Sequence, residues 1–152
     1  LAMIGRVQRQ LYDPGGAQLG LDAFLAQLAR DVVDSAGIEG VSLRIEAEAG
    51  LVLDPDAAIP TALIVTEAIA NALEHGVAGR ERGEIVLKVA RRGERLLIEV
   101  VDDGAGPPLD AAAGEGSLGL RLCEALAKGL DGSFTLESGP GGAIARLDQP
   151  YG

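Results

Sequence analysis

Leu96-Leu97-Ile98-Glu99-Val100-Val101-Asp102-Asp103-Gly104-Ala105-Gly106 is the stretch on which the fold turns. Strand alternation puts Leu96, Ile98, Val100 and Asp102 on one face, so Asp102 extends a row that is otherwise apolar. If that face is the core, a carboxylate there is expensive without a donor. The exocyclic amine of adenine would supply one, whereas guanine presents an acceptor at the same position. Gly104 and Gly106 then let the backbone turn sharply and approach a planar base. Taken alone, the same residues also describe an Asp-Gly turn that simply ends a strand.

Working outward, two further groups interrupt apolar elements. Upstream, Thr66-Glu67-Ala68-Ile69-Ala70-Asn71-Ala72-Leu73-Glu74-His75-Gly76 reads as the end of a long helix that begins near Pro60. At helical spacing Ile59, Leu63, Ala70, Leu73 and Val77 predict the buried stripe, with Glu67, Asn71 and His75 along its border. An Asn oxygen there is a hard ligand suited to Mg²⁺, and a Glu beside it is placed to accept a proton. A solvated polar edge would look the same. Downstream, Gly114-Glu115-Gly116-Ser117-Leu118-Gly119-Leu120-Arg121 leads glycines directly into a helix. The first-turn N–H groups and the helix dipole favour an anion, and glycines admit phosphate oxygens closely. An ordinary loop before a helix shares that pattern.

The remaining elements frame these groups. Helices are expected over residues 1–12, Leu21–Ser35 and Leu118–Lys128, with Gly37 stopping the second. Strands are expected at Val41–Ala47, Leu51–Leu53, Glu84–Ala90, Leu96–Asp102, Ser133–Glu137 and Ala143–Leu147. Asp54 and Asp56, beside Pro55, read as a turn and helix cap and not as a metal pair. The simplest packing is α+β: a two-layer sandwich, with helices covering one face of a mixed sheet.

Composition narrows the function. The 152 residues make one domain, and no apolar run approaches the ~18 residues needed to span a membrane. Leu1–Arg6 has no charged region leading into an apolar core, so no signal peptide is expected, and the start without Met suggests a piece of a longer protein. A single cysteine, Cys123, fits a reducing compartment and the core side of its helix. The net charge of −10 argues against nucleic acid and anionic membranes as partners. It also repels a nucleotide, so any phosphate must be held locally by backbone N–H groups, a helix start or a bridging cation.

In their order and contexts, these residues resemble the ATPase superfamily of gyrase, the mismatch-repair protein MutL and the sensor histidine kinases (the Bergerat-type fold). Glu67–Gly76 is similar to its N box, Asp102–Gly106 to its first glycine box, Gly116–Leu120 to its second, and Gly139–Ala143 to its last glycine turn. Gln10-Leu11-Tyr12, the helix at Leu21–Leu28 and the short loop from Pro107 to Glu115 resemble the short-lid kinases related to the HWE group. The resemblance implies two domains: residues 1–13 as the end of a dimerisation and phosphotransfer helix, and residues 14–152 as an ATP-binding catalytic domain. It implies ATP and Mg²⁺ as cofactors, with Asn71 on the metal, Asp102 reading adenine and Glu67 orienting or deprotonating the nucleophile. Gly104, Gly106, Gly116, Leu118, Gly119 and Leu120 would shape the lid and phosphate loop, with His75 in nucleotide contact. It further implies a cytoplasmic homodimer without direct membrane contact, a phosphoacceptor histidine upstream of Leu1, and a response regulator or phosphotransfer protein as partner.

Three positions depart from the family pattern. Glu74 stands where Lys is frequent, Ala143 where Thr is usual, and Gln8 where a His often precedes Leu-Tyr. His75, the one histidine in the chain, lies beside the nucleotide site and is not expected to be the acceptor. Two other functions share the core: a non-catalytic phosphotransfer or scaffold module, and an anti-sigma-factor serine kinase. The intact N-box and glycine-box residues weigh against the first, and the N-terminal helices ending in Leu-Tyr against the second.

Overall fold

A computed structural model of the chain describes residues 20–77, 82–104, 118–139 and 142–151. In order, the elements are α1 (Leu21–Ala36), β1 (Val41–Ala47), α2 (Pro55–Asn71) running into a π-helical segment (Ala72–Val77), β2 (Gly83–Arg92), β3 (Arg95–Asp102), α3 (Leu118–Gly129), β4 (Ser133–Gly139) and β5 (Gly142–Pro150). The five strands form one sheet in the order β1-β2-β3-β5-β4. β1 and β2 run parallel and the other pairs antiparallel, so the sheet is mixed as expected. Residues 1–13, expected as the end of a dimerisation helix, lie outside the described residues, as do Leu11, Tyr12 and Gln8.

The core sits between one sheet face and the helices. Ile85, Leu87 and Val89 of β2 alternate inward, as do Leu96, Ile98 and Val100 of β3 and Ala145 and Leu147 of β5. Phe24, Leu25 and Leu28 of α1 and Ile64, Val65 and Ile69 of α2 close over them. The opposite face carries a charged row in register, Glu46–Lys88–Glu99–Arg146, in which Arg146 Nε meets Glu99 at 2.8 Å. That carboxylate raises the Arg146 pKa, holding the guanidinium charged. Such half-buried pairs contribute modestly, while the buried apolar face sets the register.

Four expectations need correction. α2 begins at Pro55, not near Pro60, because the N–H groups of Ala57 and Ala58 both bond the Asp54 carbonyl. Asp54 holds the N-cap position, though through its backbone and without a side-chain cap bond. The buried side of α2 comprises Ala58, Thr61, Ala62, Ile64, Val65, Ala68 and Ile69, and of the expected stripe Leu73 is fully buried while Ile59, Leu63 and Ala70 are partly so. α2 rests against α1, α3 and the sheet at once, so most of its circumference is covered and no narrow stripe exists. Residues 51–53 form no strand; Leu51 is buried there and its carbonyl accepts the Leu21 N–H at 2.8 Å. Finally, Pro55–His75 is apolar and long enough, by length and composition, to cross a membrane, which the sequence reading had excluded; half of it is packed inside the fold as a core helix.

One polar pair crosses the core. Gln149 Nε2 donates to Thr61 Oγ1 at 3.0 Å, and that hydroxyl donates to the Ala57 carbonyl at 2.7 Å. Both side chains are buried, so the bond ties the end of β5 to the first half of α2. Gln149→Ala removes both the bond and the volume. It is expected to cost about 2–4 kcal/mol, seen as a lower urea midpoint with an unchanged slope.

Candidate nucleotide-binding site

The sequence reading depends on which way Asp102 faces, and it faces in. Asp102 is 4% exposed at the end of β3, continuing the buried row of Leu96, Ile98 and Val100. It lies in register between Ile85 of β2 and Ala143 of β5, near the middle of the sheet. The Gly104 N–H donates to Asp102 Oδ1 at 2.9 Å, so the turn after the strand folds back onto the carboxylate. Asp103 points the other way and accepts the Glu84 N–H at 2.9 Å, pinning the strand end to β2.

Bare backbone surrounds this end of β3. Gly142 opens β5 with φ 126°, and a Cβ there would overlap the Asp102 carbonyl oxygen and stand 2.8 Å from its carbon. Glycine is required on both counts. The neighbouring Ala143 is buried and pairs in register with Asp102. The sequence had marked Ala143 through resemblance, but Gly142 as a neighbour of Asp102 was visible only once the strands were paired.

The N-box residues belong to the helix layer that covers this sheet. The π segment packs against β2, β3 and β5, with Ala72 and Leu73 buried, and Asn71 enters it half-buried from α2. π turns are wider than α turns, so His75 does not continue the Glu67–Asn71 line that α-helical spacing predicts. His75 is exposed, with Nε2 3.9 Å from Glu74. Glu67 is half-buried and turns toward α3, where its carboxylate lies across Gly119. In the first turn of α3 Leu118 is 84% exposed and Leu120 is buried. Gly106, Gly116 and most of the lid expected between Asp103 and Gly116 lie outside the described residues. No group of three or more His, Cys, Asp or Glu that would hold a metal occurs among the described residues. A Mg²⁺ shared with phosphate oxygens needs no such cage, because it keeps several waters and takes one or two protein ligands.

A family model for the histidine kinase-like ATPase domain matches residues 28–147. The chain belongs to that family. Among curated proteins it is 31% identical over 136 residues to blue-light-activated histidine kinase 2 of Erythrobacter litoralis, covering 86% of this chain and 38% of that protein. It is 31% identical over 140 residues to the sensor histidine kinase PdtaS of Mycolicibacterium smegmatis, covering 89% of the chain and 28% of the relative. This ATPase domain therefore spans well under half of either relative's length. Among solved structures, the histidine kinase domain of an Erythrobacter litoralis blue-light-activated kinase superposes with a TM-score of 0.85 at 28% identity, covering 97% of this chain and 71% of that one.

Behind Glu67 lies Cys123, fully buried, its Sγ donating weakly to the Ile64 carbonyl at 3.9 Å. Burial, with the negative charges of Glu67 and Glu124, pushes the thiol up to about 12. A thiol raised in the folded state holds its proton there, so its stabilising contribution is complete below the unfolded value near 9 and fades as pH rises toward 12. Folded protein at pH 8 is expected to resist iodoacetamide, and to be alkylated rapidly once urea exposes the thiol. Fast labelling without denaturant would place Cys123 outside the core.

Proposed function

We propose that this domain binds Mg-ATP and transfers its γ-phosphoryl group to a histidine carried upstream of Leu1, for relay to a response regulator. The observation that carries the reading is the buried Asp102 carboxylate, which faces the helix layer at the end of β3 beside two glycine turns. An adenine amine gives that carboxylate a donor; a guanine carbonyl would meet it with repulsion. The names of the two curated relatives, both histidine kinases, support phosphotransfer over simple nucleotide hydrolysis.

The roles follow from position. Gly104, with Gly106, lets the backbone approach the base, and the α3 start, with Gly116, meets the phosphates through N–H groups where the helix dipole favours negative charge. Asn71 is the candidate Mg²⁺ ligand, and Mg²⁺ bound there would neutralise charge on the phosphate oxygens. His75 lies one turn past Asn71, at the border of the nucleotide. The acceptor is the upstream histidine, whose neutral imidazole attacks phosphorus with its lone-pair nitrogen; the N–P bond forms as the bond to the bridging oxygen breaks and ADP leaves. The proton to be lost is on the other ring nitrogen, and Glu67 is the group placed to orient that N–H or take the proton. Alignment and charge neutralisation supply most of such a reaction, so this sparse set is sufficient. The resemblance also supports a homodimer through the N-terminal helices, acting in the bacterial cytoplasm without direct membrane contact.

Calorimetry should detect Mg²⁺-dependent ATP binding to this chain and at least about tenfold weaker binding of GTP. Asp102→Asn is expected to weaken ATP binding by a similar factor and to narrow the preference, since an amide can donate to guanine. Equal affinity for the two nucleotides, or no binding at millimolar ATP, would refute the assignment.

A further inference from the structure

Gly119 has no conformational reason to be glycine. It lies in the first turn of α3 and is absent from the described residues with positive φ, so any residue would fit its backbone. In a helix an alanine would be the better former. What the position lacks is room. A Cβ on Gly119 would overlap Glu67 Oε1 and stand 2.5 Å from Glu67 Cδ and 2.9 Å from Cγ. All three atoms belong to one side chain, and it is the carboxylate end of the residue placed to handle the histidine proton. One turn on, Cys123 presses the same seam, its thiol against the Ile64 carbonyl of α2. The α2–α3 contact is thus built close, and the Glu67 carboxylate rests in the gap left by a missing methyl.

We infer that Gly119 is a positioning residue for Glu67: its bare Cα is the seat that holds the carboxylate, rather than an opening for phosphate oxygens. This rests on the reading of Glu67 as the proton acceptor or orienting group. The obstructed atoms are the far end of a flexible side chain, so an added methyl would be met by swinging the carboxylate away and not by parting the helices. A displacement of about 1 Å at a reacting group is enough to cost on the order of a hundredfold in rate.

The test is a double-mutant cycle in the intact protein that carries its phosphoacceptor histidine, following autophosphorylation rate at saturating ATP, ATP affinity and melting temperature. Gly119→Ala should lower the rate at least tenfold, leave ATP affinity within threefold and not lower the melting temperature. In a Glu67→Ala background, which removes all three obstructed atoms, the same change should alter the residual rate less than twofold. If Gly119→Ala instead loses ATP affinity while its saturated rate holds, the glycine serves the phosphates and the inference falls. Equal losses in both backgrounds, or no loss in either, overturn it as well. Glu67→Gln separates the two levels. Full turnover in that variant removes the proton role and this inference together, whereas a dead Glu67→Gln beside an unaffected Gly119→Ala removes the inference alone.

Discussion

The arrangement depends on one carboxylate held inside the fold. Asp102 ends an inward-facing row of leucine, isoleucine and valine and is as buried as its neighbours. A charge in that place is costly unless donors reach it. The Gly104 N–H supplies one, and small residues stand beside the strand end: Gly142, whose missing Cβ leaves room for the Asp102 carbonyl, and Ala143 in register opposite. The sheet order serves the same end. With β2 on one side and β5 on the other, Asp102 sits in the interior of the sheet, where solvent cannot satisfy it from an open edge. A ligand with an amine is the natural complement to a site so built.

An acidic chain that binds a triphosphate poses an electrostatic problem, solved here locally. Its charge of −10 gives no general attraction, and the basic groups Lys88 and Arg146 are matched to acids on the far face of the sheet. Attraction is left to short-range donors. The first turn of α3 has no acidic residue of its own, which leaves its N–H groups and dipole uncancelled from within the helix. Glu67, contributed from α2, lies against that turn at Gly119.

The sheet was legible in the sequence because its signal is local. Alternation along Val41–Ala47 and Leu96–Asp102 needs no knowledge of neighbours and puts Asp102 on the face of Leu96, Ile98 and Val100, which the structure buries. α2 was harder because its periodicity answers to three neighbours at once. With α1, α3 and the sheet all pressing on it, apolar residues occur around the helix, and the stripe inferred from Ile59, Leu63 and Ala70 was out of phase. The π segment left no mark in composition, so His75 was read on an α-helical line it does not follow. At Leu51–Leu53 an apolar run was read as a strand, yet its backbone serves the start of α1. The site residues were found as types before they were found as contacts. Glycine at 119 and 142 was visible, but what each glycine makes room for is set by a partner far away in the chain.

That difference bears on how the domain divides its work. In the proposed function, base recognition falls to β3, whose place is fixed by hydrogen-bonded strand register, phosphate binding to the start of α3, and the proton acceptor to α2. Two of these elements, α2 and α3, come close where Gly119 faces Glu67 and Cys123 faces the Ile64 carbonyl. Close backbone approach lets a carboxylate from one helix lie against the first turn of the other, so their relative position sets where that carboxylate stands. On the proposed function, nucleotide affinity draws on the sheet and the helix start, while alignment for transfer draws on the seam between helices, so the two are separable by mutation.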